Sequence, residues 1–122
     1  MPVRLRLEDP AVVERAVQRF RDGSSRPQDL RLLTKHLLAL LVAKAPGGAV
    51  EVRVPPYAVA QCLAGTRHTR GTPPAVVELD AVTWIALALG DLDWADAERD
   101  ARLVASGERS DLAHLLPLLS GG

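Results

Sequence analysis

A chain of 122 residues is long enough for one domain and too short for two ordinary ones. Its 48% apolar and 25% charged residues are a normal globular balance, and fifteen basic against fifteen acidic side chains leave a formal net charge of +0, with no global field to hold nucleic acid or an anionic membrane. One cysteine excludes an internal disulfide framework and a Cys-based zinc site, and no run of eighteen apolar residues or charged-then-apolar leader occurs, so the expectation is a soluble cytoplasmic domain.

Arg outnumbers Lys thirteen to two, Ile occurs once and Asn never, a bias that suggests a GC-rich bacterial genome. The aromatics are Phe20, Tyr57, Trp84 and Trp94, so the core must be built mainly of Leu, Val and Ala. In chain order, the alternation Val3-Arg4-Leu5-Arg6-Leu7 reads as a short strand. Asp9-Pro10 then starts a helix over 10–21, with Asp as N-cap, Pro at the first helical position and Val13, Ala16, Val17 and Phe20 at helical spacing, and Gly23 stops it. After Pro27 a second helix covers 28–45. Leu30, Leu33, Leu37 and Leu41 form its stripe, widened by Leu38, Val42 and Ala45. The stretch from Leu37 to Ala43 is apolar all round, which calls for burial on most sides or an apolar neighbour besides the sheet.

Pro46-Gly47-Gly48 ends that helix and the period changes to two. Val50–Val54 is a strand with one dry face, and Pro55-Pro56 breaks it. Ala58–Leu63 reads as a second strand, with helix competing because Ala favours it. Thr66–Pro74 is a loop and Val76–Leu79 a third strand. Asp80 caps a helix over 81–89 that Gly90 ends, and Asp93 caps a short helix over 94–98. Ala101–Ala105 is a fourth strand, and a last short helix starts at Ser110 or Asp111 and holds Leu112, Leu115 and Leu116. The fold class this implies is α+β. A single domain over 1–122 has a mostly helical part (1–48) and a part with sheet and helices (49–122), the sheet mainly antiparallel, of about four to five strands, with helices packed on one face.

Two stretches carry a resemblance. Val76-Val77-Glu78-Leu79-Asp80, Thr83-Trp84, Leu87-Ala88-Leu89-Gly90-Asp91-Leu92, Trp94-Ala95-Asp96-Ala97 and Leu103-Val104-Ala105-Ser106-Gly107-Glu108 are similar to the C-terminal half of sterol carrier protein 2 domains. Val52-Arg53-Val54-Pro55-Pro56, Gln61-Cys62 and His68-Thr69-Arg70-Gly71-Thr72-Pro73-Pro74 resemble the small, mostly actinobacterial sterol carrier family proteins, a module also related to the C-terminal part of mycothiol-dependent maleylpyruvate isomerases. The metal site of those enzymes lies in a helical bundle that this chain lacks. The resemblance implies a sheet with helices on one face and an apolar tunnel between them for a fatty acyl chain, a sterol or an acyl-CoA. The chain departs from the pattern at Asp100, near where the carriers have Gly, and in its Leu-rich rather than Met- and Phe-rich C-terminal segment.

Leu37, Leu41, Trp84, Leu87, Leu115 and Leu116 are the candidate lining of such a tunnel, because an apolar guest gains about 25 cal/mol per Å² removed from water without a specific polar partner. The competing reading is that the same six residues merely fill the core, since a chain this short needs nearly all its Leu for that. Arg67, His68 and Arg70 are the candidates for the polar end of a ligand, since Arg presents a planar fork of donors to carboxylate or phosphate. The competing reading of that loop is a β-connection whose Gly71 supplies an unusual φ and whose Arg pairs with Glu78 or Glu108.

His36, His68 and His114 are too far apart to suggest a metal site, and helix-dipole contacts account for His36 and His114. Cys62 reads as a buried structural thiol. The serines lack a nucleophile-elbow setting, and no phosphate-cradling glycine motif occurs. Asp91, Asp93, Asp96, Glu98 and Asp100 read as capping and solvated carboxylates, and Arg15, Arg19, Arg21, Arg26 and Arg31, offset by Glu14, Asp22 and Asp29, as a solvated helix face rather than a nucleic-acid surface. The leading expectation is therefore non-catalytic binding of a hydrophobic or amphipathic small molecule, with no catalytic residue, metal or cofactor and no stable membrane insertion. The alternative is an interaction module with a filled core that docks through Thr66–Pro74 on a partner enzyme or a second copy. An enzyme centred on the His68–Arg70 loop with Glu78 ranks third.

Overall fold

The computed structural model describes residues 5–65, 75–107 and 110–119. Helix α1 spans Pro10–Arg21; its N-cap Asp9 accepts the Ala11 N–H at 2.8 Å, and Arg19 and Arg21 sit at the negative end of the helix dipole. Helix α2 spans Pro27–Lys44. Arg26, held extended by the following proline, donates its N–H to the Asp29 carboxylate at 3.0 Å, so the third helical residue closes the helix start. The same carboxylate takes Arg19 in a fork, Nε at 2.9 Å and Nη2 at 2.7 Å, and thereby fastens α1 to α2.

Strands β1 (Val50–Val54) and β2 (Ala58–Cys62) form an antiparallel hairpin, with Val52 opposite Ala60. β1 pairs on its other side with β3 (Ala75–Leu79) in parallel, and β3 pairs antiparallel with β4 (Leu103–Ser106). The order is β2-β1-β3-β4, so two of the three ladders are antiparallel and the central one is parallel. Alternation sorts the side chains. Val50, Val52, Val54, Ala58, Ala60, Cys62, Ala75, Val77, Leu79 and Leu103 are buried beneath the helices, while Arg53, Val59, Gln61, Glu78 and Val104 are exposed on the other face. Gly47, at φ +145°, makes the turn into β1, because a Cβ there would overlap the Leu63 carbonyl.

Helix α3 (Ala81–Leu89) is capped by Asp80, which accepts the Thr83 N–H at 2.8 Å, and ends at Gly90 in the left-handed region. It is buried almost all round, and the Trp84 indole N–H donates to the Thr34 carbonyl of α2 at 3.3 Å. That contact explains the all-apolar stretch of α2, which lies against α1 on one flank and α3 on another as well as over β2. Helix α4 (Trp94–Arg99) follows. The C-terminal segment is strapped back over the helices. The N–H groups of Leu118 and Leu119 reach the Ala88 carbonyl at 2.8 and 3.3 Å, and the Lys44 ammonium donates to the Leu115 carbonyl at 2.8 Å.

Three expectations for the elements need correction. Residues 5–7 are not strand: the next residue, Glu8, gives its N–H to His36 Nδ1 at 3.0 Å, which directs this segment over α2 rather than along a sheet edge. β4 begins at Leu103, two residues late, because the chain is still turning off α4, with Ala101 N–H on Glu98 and Arg102 N–H on Ala97 and Ala101 at φ +56°. The last helix reduces to one 3₁₀ turn at Ala113–Leu115, since Pro117 disfavours helical backbone at Leu116, which is extended. The loop Thr66–Pro74 lies outside the described residues.

A groove between the first helix and the C-terminal strap

The strap and α1 do not close on each other. Between them runs an open groove of ≈ 660 Å³, within the range of small-molecule sites. Its floor is apolar: Val13 and Val17 from α1, Leu40 from α2, Leu89 from the end of α3 and Leu119 from the strap. Val13 and Leu89 are buried, and Val17, Leu40 and Leu119 are half-buried. α1 supplies a continuous helical stripe, Pro10, Val13, Glu14, Val17, Gln18, Arg21 and Asp22, whose apolar members face inward and whose polar members form the rim. One end is held by Arg21, whose Nε and Nη2 grip Asp91 at 3.0 and 3.1 Å across the turn after α3.

His36 lies at the floor beside Leu40 and is only 7% exposed. Its Nδ1 accepts the Glu8 N–H, so the neutral ring carries its proton on Nε2. Burial pushes its pKa below 6.5, against a smaller opposing pull from Glu8. Helix-dipole contact, the sequence-level account of His36, misses this burial. Its signal was position: His36 directly precedes the apolar stretch of α2, on a helix flanked by two others.

The tunnel candidates are brought together elsewhere. Leu37 and Leu41 are 0% exposed, Trp84 and Leu87 1%, and Leu115 is also buried. All five belong to one core cluster, with the half-buried Leu116 packed against it. Any void able to admit a water would leave accessible surface on its walls, and Leu37 and Leu41 have none; they meet the protein's own side chains. Arg67, His68 and Arg70 lie outside the described residues. Cys62 is buried, and burial pushes its thiol pKa up, away from the thiolate. Asp96 and Asp100 pair with Arg99 at 2.7 and 3.6 Å, and Asp91 with Arg21, so ion pairing occupies part of the acidic stretch; Asp93 stands at the N-cap of α4 without a side-chain cap bond.

A mixed four-stranded sheet with helices packed against it is the architecture of sterol carrier protein 2-like α+β domains. Residues 26–118 match the family described as bacterial SCP ortholog, and the chain belongs to that bacterial sterol carrier protein-like family. No curated protein matches the chain closely enough to count as a relative. Helix α1 and Leu119, which wall the groove, fall outside the matched span. No helix among the described residues is long and apolar enough to cross a membrane.

Proposed function

We propose that this protein is a non-catalytic carrier of a hydrophobic or amphipathic small molecule. The observation that carries the reading is the groove: an apolar floor, a polar rim and an open volume of ≈ 660 Å³ on a domain of the sterol carrier family. An alkyl chain burying about eight methylenes at ~0.8 kcal/mol each gains ~6 kcal/mol before ordering costs, which suits reversible carriage better than permanent retention. In this reading Leu37, Leu41, Trp84, Leu87, Leu115 and Leu116 form the packed wall behind the seat, and Arg67, His68 and Arg70 are the residues proposed for a second polar contact.

Native mass spectrometry of freshly purified protein, followed by titration with a fluorescent single-chain amphiphile, tests the proposal. A copurifying small-molecule adduct, or saturable binding at micromolar concentration, is expected. Bare protein together with no saturable signal would overturn it.

The closed packing at Leu37 and Leu41 favours a second reading, an accessory module that docks on a partner enzyme or a second copy through Thr66–Pro74. The same mass spectrum separates the two, since this reading requires a doubled mass or a stoichiometric protein partner without a small-molecule adduct.

A further inference from the structure

The rim of the groove is acidic. Among the described residues, Glu8, Glu14 and Asp22 line it against one cation, Arg21, whose guanidinium is already engaged by Asp91. Glu14 and Asp22 have no ion-pair partner among the described residues, and Glu8 meets only the largely exposed Arg6, at 3.5 Å. Glu14, Gln18 and Asp22 are spaced i, i+4, i+8, so they form a rail along α1 about 12 Å long.

Below the rail sits His36, more than nine-tenths buried, with Nδ1 occupied by the Glu8 N–H. The Nε2–H on the opposite edge of the ring has no protein acceptor among the described residues and is not a buried unpartnered atom, so it keeps access to solvent. The ring is neutral at pH 7, so the floor holds no charge that would repel a cation or offset the rim.

We propose that the groove selects a single-chain amphiphile whose head carries an ammonium group and a neutral oxygen acceptor, the chemistry of a long-chain amino alcohol. The alkyl chain lies on Val13, Val17, Leu40, Leu89 and Leu119. The hydroxyl oxygen accepts from His36 Nε2–H, and the ammonium meets one carboxylate of the rail, Glu14 or Asp22, with the other adding its field at longer range. A carboxylate head would face the rim with like charge. The inference rests on the carrier reading above and narrows it. Glu14 and Asp22 lie outside the family match and His36 inside it.

The test uses three probes of equal chain length, each kept below its aggregation or solubility limit, in isothermal titration calorimetry at low salt: 2-aminododecan-1-ol, dodecan-1-ol and dodecanoate. Exposed charge pairs each contribute about 2- to 5-fold in affinity. The amino alcohol should therefore bind about 2- to 5-fold more tightly than the alcohol, and dodecanoate more weakly than both. Replacing the two exposed carboxylates, Glu14→Gln with Asp22→Asn, should bring the amino alcohol down to the affinity of the alcohol and leave the alcohol unchanged. Dodecanoate binding as tightly as the amino alcohol, or a preference that survives the double substitution, would overturn the head-group inference while leaving the carrier reading intact. If none of the three binds, the carrier reading and the inference fall together.

Discussion

Truncating Leu41 to Ala distinguishes a solid interior from a hollow one. The side chain is wholly buried within the core cluster, so the substitution removes three carbons from a close-packed site. Transfer alone accounts for ~2.4 kcal/mol at ~0.8 kcal/mol per carbon. The space left behind raises the total to about 3–5 kcal/mol, because the neighbours relax only in part. For a chain of this length that corresponds to a fall in Tm of about 10–20 °C. Leu40→Ala, one residue away but half-buried at the groove, should cost only about 1 kcal/mol. Urea unfolding of both variants beside the wild type, analysed by linear extrapolation, gives the two values directly. A cost below about 1 kcal/mol for Leu41→Ala would mean that the side chain already borders empty or ligand-filled space, and would move the binding seat from the groove to the layer between helices and sheet.

Three further outcomes are expected. Asp29, buried and gripped by Arg19 and Arg26, has its pKa held well below its usual 3.8 by those hydrogen bonds, so its contribution is fully present above that value and is lost as pH falls toward the folded-state pKa; Asp29→Asn should lower the unfolding free energy from urea titration by ~1 kcal/mol at pH 7, and a gap to wild type that fails to narrow between about pH 4 and pH 2 would contradict the assignment. His36 has its pKa lowered by burial, so the unfolded chain binds a proton more readily, and wild-type stability should decline as pH falls below 6.5; His36→Gln, which can still accept the Glu8 N–H, should flatten that part of the profile, and an unchanged slope would argue against the buried neutral ring. Gly47→Ala should cost at least about 2 kcal/mol, since the new Cβ meets the Leu63 backbone, whereas Gly23→Ala, at φ +75° with nothing within 4 Å, should cost about 1 kcal/mol; equal melting temperatures for the two would falsify the close approach at Gly47.

The elements that were legible in the sequence are those with local causes. Asp9-Pro10, Asp80 with Gly90, and the switch from a period near 3.6 to a period of two after Pro46 placed α1, α3 and β1 to the residue or nearly so. The family was legible in the segments around Val52–Pro56 and Leu87–Leu92, which lie inside the matched span. What was not legible depends on contacts distant in sequence. The parallel pairing of β1 with β3 is set by where the chain returns after the hairpin, which no local pattern encodes. The groove needs Leu119, carried back onto Ala88 by backbone hydrogen bonds, and its rim needs Arg21 tied to Asp91 seventy positions away. Val13 and Val17 carried a visible helical stripe, and only the path of the strap determines that part of this stripe faces an opening instead of a neighbour.

Methyl-resolved NMR during a titration with dodecan-1-ol shows whether small molecules lodge between α1 and the strap. Saturable shifts are expected at the methyls of Val13, Val17, Leu40, Leu89 and Leu119, with Leu37 and Leu41 nearly unmoved. Shifts centred on Leu37, Leu41 and Leu87 with the groove methyls silent would contradict that placement.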